Sequence, residues 1–308
     1  MRYAVFPCLG LGDGLITLTL SYNLVRAGHQ VDTYHPFMGQ MQELFPKTPL
    51  LPRGEQPPEL DQYDHLFIVY EKSPWMEELL EQSLNSYREK TTVLNPIASP
   101  LCDCPYWEEG EFDGTLPFTQ NLVRFCHNKL GIEDAVGENG IVLPAGIESR
   151  KYPMRVAIHP TSSRAGKNWS KEKFLRLADR LTGEGFSPVF ILTEEEQKEW
   201  PEVEAPVFED LNALTYFIAE SGYVIGNDSG IGHLGSCLGL PSLIICRSRM
   251  AADFWRPGWT PGEVIFPPKW IPNLKGMRWR DKKWQHFVPV QTVLEKFLEL
   301  AKAGILSD

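Results

Sequence analysis

The sequence predicts an α/β fold in two units, each a parallel sheet covered by helices. Three observations carry this. Short apolar runs alternate with helix-spaced stretches along the chain, the pattern of strand–turn–helix units. In the C-terminal half these units recur every ~25–30 residues, as in Rossmann-like domains. The 308 residues also suffice for two domains of roughly 150 residues each. Charge divides unevenly between them. Residues 1–150 hold 10 Lys/Arg against 21 Asp/Glu, a net of −11, and residues 151–308 hold 20 against 19, a net of +1.

The elements follow in order. Residues 3–7, YAVFP, read as a strand. Residues 13–28 carry Leu15, Leu18, Tyr22 and Val25 at helical spacing, and Gly28 is a natural stop. HQVDTYHP and DHLFIVY are further strands. The segment 74–89 is a helix with Pro74 at its start and acids early. TTVLNP is a strand, residues 99–117 are loop-like, and 118–132 are helical. Gly, Pro and charges cluster at 138–153, which gives units 1–150 and 151–308.

The second unit restarts with a strand ending at His159 and a polar loop. A helix follows from Ser170, an N-cap type without the acid of a capping box. Then come the strand FSPVFILT, the helix 211–222, the strand YVIGNDS, a helix opened by GIGHLGSCLG, and the strand PSLIICRS. Last is an amphipathic helix with Val290, Val293, Leu294, Phe297, Leu298 and Ala301 on one side.

Composition excludes several classes. A hydrophobic fraction of 43% and a charged fraction of 23% are ordinary for a globular protein, and no window reaches the ~18 apolar residues of a membrane span. The N-terminus lacks the shape of a secretory signal, so a cytoplasmic protein is expected. A net charge of −10 argues against a broad nucleic-acid surface. The tight pair Cys102 and Cys104 is not CxxC and has no second pair, so it reads as loop or core thiols and not as zinc ligands.

Three constellations carry chemistry. Gly10, Gly12 and Gly14 give G-x-G-x-G between strand and helix, with Asp32 about 20 residues on. The third glycine is out of register for a dinucleotide fingerprint. Asp13 also stands where a pyrophosphate would approach, and like charges repel. Asp13 therefore either caps the helix or is a carboxylate presented as a base or a binder of sugar hydroxyls. An NAD(P) oxidoreductase is disfavoured by the same residue. The second constellation runs from His159 to Trp169 and brings Thr161, Ser162, Arg164 and Lys167 to the C-terminal end of a strand, as an anion grip would. It is not a P-loop, and Trp169 reads as packing. The third is Asn227-Asp228-Ser229-Gly230, where free N–H groups at a helix start suit a phosphate. Gly232 and Gly235 would permit close approach, and His233 faces either ligand or core. A fourth feature, residues 269–286, holds six Lys/Arg, one Asp and three Trp. It reads either as a contact for a phosphorylated acceptor or an anionic membrane surface, or as a solvated connector anchored by its tryptophans.

Together, HPTSSRAGKNWSKEKF and VIGNDSGIGHLGSCLGLPSLIICRS resemble the bacterial lipopolysaccharide heptosyltransferases, glycosyltransferase family 9. The resemblance is strongest over 155–250 and extends thinly to Gly12-Asp13. It implies a GT-B fold of two Rossmann-like domains facing a central cleft, the N-terminal one on the acceptor side and the C-terminal one holding the donor. The last helix, about 290–303, is then expected to pack back on the N-terminal domain. It implies an inverting, metal-independent transfer from a nucleotide sugar, commonly ADP-heptose, to a glycan or glycolipid, with no cofactor and no metal site. The implied base is Asp13, and the implied phosphate-binding lysine is Lys167. Thr161, Ser162, Arg164, Asp228, Ser229, Gly230 and His233 fall at the donor phosphates, and Phe208, Glu209 and Leu211 fall near the nucleoside. The implied location is cytoplasmic and peripheral to the inner membrane. The sequence does not distinguish an adenine donor from a uracil or guanine one, nor a transferase from a silent sugar-nucleotide binder on the same scaffold.

Overall fold

The computed structural model describes residues 1–94, 112–248, 253–260, 262–274 and 277–305. Cys102, Cys104 and most of the 99–117 loop lie outside the described residues. The chain divides into two compact units, Met1–Ala145 and Gly146–Asp308. No helix among the described residues is long and apolar enough to cross a membrane.

The first unit contains a five-stranded sheet, ordered β3-β2-β1-β4-β5. The strands are β1 (Arg2–Phe6), β2 (Gln30–Tyr34), β3 (Leu50–Leu51), β4 (His65–Ile68) and β5 (Thr91–Val93), and every pairing is parallel. Helix α1 (Leu11–Arg26) begins two residues earlier than its periodicity suggested and follows β1. The stripe at Leu15 and Leu18 underestimates its burial. Gly12, residues 14–21, Asn23 and Leu24 are all buried, so this helix is covered nearly all round. Helix α3 (Phe118–Asn128) covers one side. Residues 134–139 form a strap over another, tied by Asn23 Nδ2 to the Val136 carbonyl at 2.8 Å and by Asn139 Nδ2 to the Leu15 carbonyl at 3.2 Å. The buried polar side chains of α1 are thus paired, as a helix buried on several faces requires. Helix α2 (Pro74–Ser86) covers the opposite sheet face, with Met76 and Leu79 against Phe6, Leu66 and Ile68. Its N-cap, Ser73, accepts from the Met76 N–H.

The second unit repeats the layout with a different strand order. The order is β10-β9-β8-β6-β7, all parallel. The strands are β6 (Tyr152–His159), β7 (Ser187–Phe190), β8 (Ser221–Asn227), β9 (Ser242–Ile245) and β10 (Gly262–Ile265). The helices are α4 (Lys171–Gly183), the single turn α5 (Glu194–Gln197), α6 (Leu211–Ala219) and α7 (Gly230–Cys237), with a last turn α8 (Trp279–Lys282) and the C-terminal α9 (Val290–Ile305). Ser170 occupies the N-cap of α4, but its side chain makes no capping bond. Strand β8 is buried at every residue. Helix α9 lays Val293, Leu294, Phe297 and Ala301 into this unit's core, as its periodicity indicated, and adds Leu300. The Phe297 ring meets Phe186 at 4.9 Å and Tyr223 at 5.2 Å, both edge-on.

Neighbouring strands approach so closely along β8 that two of its residues have no room for a side chain. A Cβ on Gly222 would lie 2.0 Å from the Pro153 carbonyl oxygen, and one on Gly226 would lie 2.6 Å from that of His159. Both contacts are with backbone, which cannot swing aside. Gly226→Ala is therefore expected to destabilise the protein by about 2 kcal/mol or more. Gly183→Ala, where a Cβ meets open space at the end of α4, is expected to be neutral or stabilising by up to about 1 kcal/mol. Urea unfolding of the two variants side by side checks the contrast.

Candidate functional site

In parallel sheets ligands bind beyond the carboxyl ends of the strands, where successive crossovers diverge. In the first sheet that point lies between β1 and β4, and in the second between β6 and β8. The loops leaving these four strands contain most of the residues singled out from the sequence.

In the first unit, β1 runs into Pro7–Gly10 and then α1. Gly10 is the extended N-cap, and Asp13 stands in the first helical turn. The Asp13 carboxylate folds back over the cap, so that a Cβ on Gly10 would meet Oδ2 at 2.6 Å. Gly10 thus leaves room for the carboxylate. Gly14 answers a different need. A Cβ there would lie 2.3 Å from the Met38 sulfur and 3.0 Å from the His35 ring. It lets that segment close against the first turn of α1.

Three residues that the sequence did not flag hold this loop. Arg53, its side chain 4% exposed, donates to the Pro7 carbonyl and pairs with Glu71 at 3.2 Å. Glu71, from the loop after β4, accepts from the Leu9 N–H at 2.6 Å. His35 is fully buried, its Nε2 lies 3.4 Å from the Gly10 carbonyl and its Nδ1 accepts from the Met38 N–H at 3.3 Å. Burial, then the nearby Arg53 charge, pull its pKa down to about 4, so the ring is neutral and carries its proton on Nε2. Burial also pushes the Cys8 thiol up, and the Asp13 and Glu71 carboxylates add to this. That disfavours Cys8 as a nucleophile.

In the second unit the loop after β6 and the turn after β8 are joined by one buried side chain. Asn227 accepts from the Trp169 N–H at 2.9 Å and donates to the Pro160 carbonyl. Lys167 reaches across to Asp228 at 2.9 Å. Asp228 therefore faces a cation, and its present partner is the lysine assigned to phosphate. A pocket of about 390 Å³ opens at this point, lined by Arg164, Gly166, Lys167, Asp228, Cys246, Arg247 and Ser248. Among the described residues neither Arg164 nor Arg247 has a side-chain partner. Ser229 caps α7 by position only, and its buried Oγ has no hydrogen-bond partner. The first N–H groups of α7 lack intrahelical acceptors, as at any helix start. Cations, unpaired N–H groups and an unspent hydroxyl are what an anion requires.

The remaining predicted residues divide. His233 is buried, T-stacked on Trp259 and hydrogen-bonded to the Trp255 backbone, and its Nδ1 has no partner. Burial lowers its pKa, so it is a neutral ring. The Thr161 hydroxyl lies 3.4 Å from His159 Nε2 and bonds Glu196, and Ser162 donates to Asn168 at 2.6 Å. Both hydroxyls shape the loop in this structure. Gly232 and Gly235 make room for protein and not for ligand: a Cβ on either would strike Ile244 at 2.4 Å or Val224 at 2.5 Å. They seat α7 on the sheet. Phe208 packs edge-on against Phe217, Glu209 is exposed, and Leu211 opens α6 behind the Asp210 N-cap. None of the three lines the pocket. Trp169 is core, as expected, and packs on Phe174 at 5.1 Å. Arg247 was missed, although the strand-end rule that found Lys167 applies to it equally. No group of three or more His, Cys, Asp or Glu among the described residues is placed to hold a metal.

Residues 144–257, which include every lining residue of this pocket, match the family model "Glycosyltransferase family 9 (heptosyltransferase)". Over that stretch, which holds the loops after β6, β8 and β9, the chain is similar to family 9 glycosyltransferases. Solved structures similar to the whole chain agree in fold. A family 9 glycosyl transferase from Veillonella parvula superposes with a TM-score of 0.71 at 15% identity, covering 98% of this chain and 97% of that one. The ADP-heptose lipopolysaccharide heptosyltransferase II of E. coli gives 0.67 at 13%, covering 98% and 99%. The iron-containing dodecameric glycosyltransferase TibC of enterotoxigenic E. coli gives 0.61 at 11%, covering 98% of this chain and 76% of that one. No curated protein matches the sequence. The fold is GT-B, with one Rossmann-like sheet in each unit.

Two outcomes test this geometry. Asn227→Ala would strand the Trp169 N–H and the Pro160 carbonyl, at an expected cost of about 2–4 kcal/mol in urea unfolding, with faster proteolysis of the 160–169 loop. His35 makes stability pH-dependent. Its folded pKa of about 4 lies below the ordinary 6.5, so the unfolded chain binds the proton first. Its contribution is whole above about pH 6.5 and is lost as pH falls toward 4. Between pH 7 and about 4.5 wild type is expected to lose about 2.5 kcal/mol more than His35→Gln, measured by urea unfolding at each pH.

Proposed function

We propose that this protein is an inverting glycosyltransferase that moves a sugar, heptose from ADP-heptose, onto a hydroxyl of a glycan or glycolipid, without a metal. The observation that carries the reading is the pocket between β6 and β8. It gathers Arg164, Lys167 and Arg247 beside an unpartnered Ser229 hydroxyl and the start of α7, within the stretch similar to family 9. A nucleoside diphosphate fits that chemistry. In this reading Lys167 exchanges Asp228 for the diphosphate, and His233 Nδ1 accepts from a donor hydroxyl. The segment Phe208, Glu209 and Leu211 meets the nucleoside. Thr161 and Ser162 hold the loop in shape for the phosphates.

The reaction forms a bond from the acceptor oxygen to the anomeric carbon and breaks the bond from that carbon to the diphosphate oxygen. Asp13 takes the acceptor's proton as the oxygen attacks, and the opposite face of attack inverts the centre. The diphosphate leaves with added negative charge. Cationic side chains and helix N–H groups are stabilisers of that charge that act without a divalent ion.

Asp13→Asn is expected to lower kcat by about 10²–10⁴-fold while ADP still raises the melting temperature. Lys167→Met is expected to weaken both ADP binding and turnover. Full turnover by a folded Asp13→Asn variant would remove the base from this account. A thermal-shift panel of ADP, UDP and GDP, with EDTA or with Mg²⁺, tests the donor. A response confined to ADP and indifferent to EDTA is expected, and a UDP or GDP preference or an EDTA-sensitive turnover would overturn those parts.

A further inference from the structure

The basic, tryptophan-rich stretch found in the sequence separates in the structure into an anchor and an exposed face. Trp284 is the anchor. It is buried and donates its indole N–H to the Gly166 carbonyl at 3.2 Å. Gln285 donates to the Asn168 carbonyl, and Lys173 donates to the carbonyls of Gln285 and Val288. The end of the stretch is therefore bolted to the loop that carries Lys167.

The rest faces outward. Residues before β11 (Asn273–Leu274) and after β12 (Met277–Arg278) form two antiparallel arms. The arms are joined above the pairing as well: the Arg280 N–H meets the Pro272 carbonyl at 3.2 Å, and Arg280 Nη1 meets the Lys269 carbonyl at 3.0 Å. This brings Trp270 on one arm and Trp279 on the other to the same small lobe, 78% and 51% exposed. Lys269, Lys282 and Lys283 are exposed beside them, without an ion-pair partner among the described residues. The carboxylate between them, Asp281, accepts from Asn273 at 3.1 Å. Lys269, Arg280, Lys282 and Lys283 against Asp281 leave a local charge of +3 in a chain of net −10.

Large exposed indoles are costly in water, and here the described residues leave most of Trp270 and half of Trp279 uncovered. Amphipathic rings ringed by lysines match the boundary of an anionic bilayer, where indoles sit among headgroups and ammonium groups meet lipid phosphates. The acids elsewhere in the chain oppose such contact only within a Debye length of about 10 Å at 0.1 M salt. We infer that this lobe docks the protein on an anionic membrane surface through Trp270, Trp279 and Lys269, Lys282 and Lys283. The inference stands on this lobe alone and does not depend on the transferase reading.

Co-sedimentation with vesicles tests it, using phosphatidylcholine alone and phosphatidylcholine mixed with phosphatidylglycerol. Binding to the mixed vesicles only, abolished by high salt, is expected. Each lysine near an anionic surface contributes about fivefold in partitioning, so Lys282→Glu with Lys283→Glu is expected to lower it at least about 25-fold. Trp270→Ser with Trp279→Ser is expected to weaken binding and to remove quenching of tryptophan fluorescence by brominated lipid. Both pairs are surface changes, and unaltered melting curves confirm that each variant is folded. No binding to mixed vesicles, or binding equal in wild type and both variants, would overturn the proposal. So would lysine-dependent binding of soluble inorganic polyphosphate without vesicle binding, which would assign the patch to a soluble polyanion.

Discussion

A single buried amide holds the carboxyl-end loops of the second unit together. Asn227 ends β8, and its two polar atoms reach the loop that leaves β6. The connections that leave β6 and β8 diverge beyond the last ladder pairing, so nothing in the sheet itself would keep the two loops in register. The amide supplies both a donor and an acceptor, which a hydrophobic or a charged side chain cannot. The Lys167–Asp228 pair, the pocket and the half-buried start of α7 all depend on that bridge. The glycines at 232 and 235 add to it by seating α7 directly on Ile244 and Val224.

The first unit solves the same problem with charge. Its loop at residues 7–10 is tied from below by Arg53 and from the side by Glu71, with neutral His35 closing on the Gly10 carbonyl. A buried ion pair gains little net stability, since desolvation offsets most of its attraction. Its use here is geometric. It determines where the backbone before α1 runs, and so where Asp13 is carried. Removing one member would leave the other charged and buried, which makes the pair hard to lose one residue at a time.

The elements with strong periodicity were legible. The strands β1, β2, β4 and β6–β9 and the helices α1–α4, α6, α7 and α9 all lie where apolar spacing put them, within a few residues. Strand β3 was not legible, being two residues long, and β10 begins with Gly-Glu and carries no alternation. The motif at 227–230 and Lys167 were legible because strand ends and helix starts are written locally. Arg53, Glu71 and His35 were not. They come from three separate connections, and only the strand order β3-β2-β1-β4 brings them to one loop. The glycines misled in part: Gly232 and Gly235 were expected to permit close approach of a ligand and are packing glycines, as Gly14 is too. Sequence shows that a side chain is absent, and only the fold shows what fills the space.

The C-terminal helix has a consequence for how the chain is made. Phe297 fills the space between Phe186 and Tyr223, more than 70 residues earlier in the chain than their partner. The first unit draws its described core from residues before 146 and can close while the remainder is still being synthesised. The second unit must wait. Until residues 293–301 emerge, its sheet has an open apolar face, and β6 to β10 are already complete and ready to meet the wrong neighbour. Residues 293–301 thus set the time at which the second unit stops being an aggregation hazard.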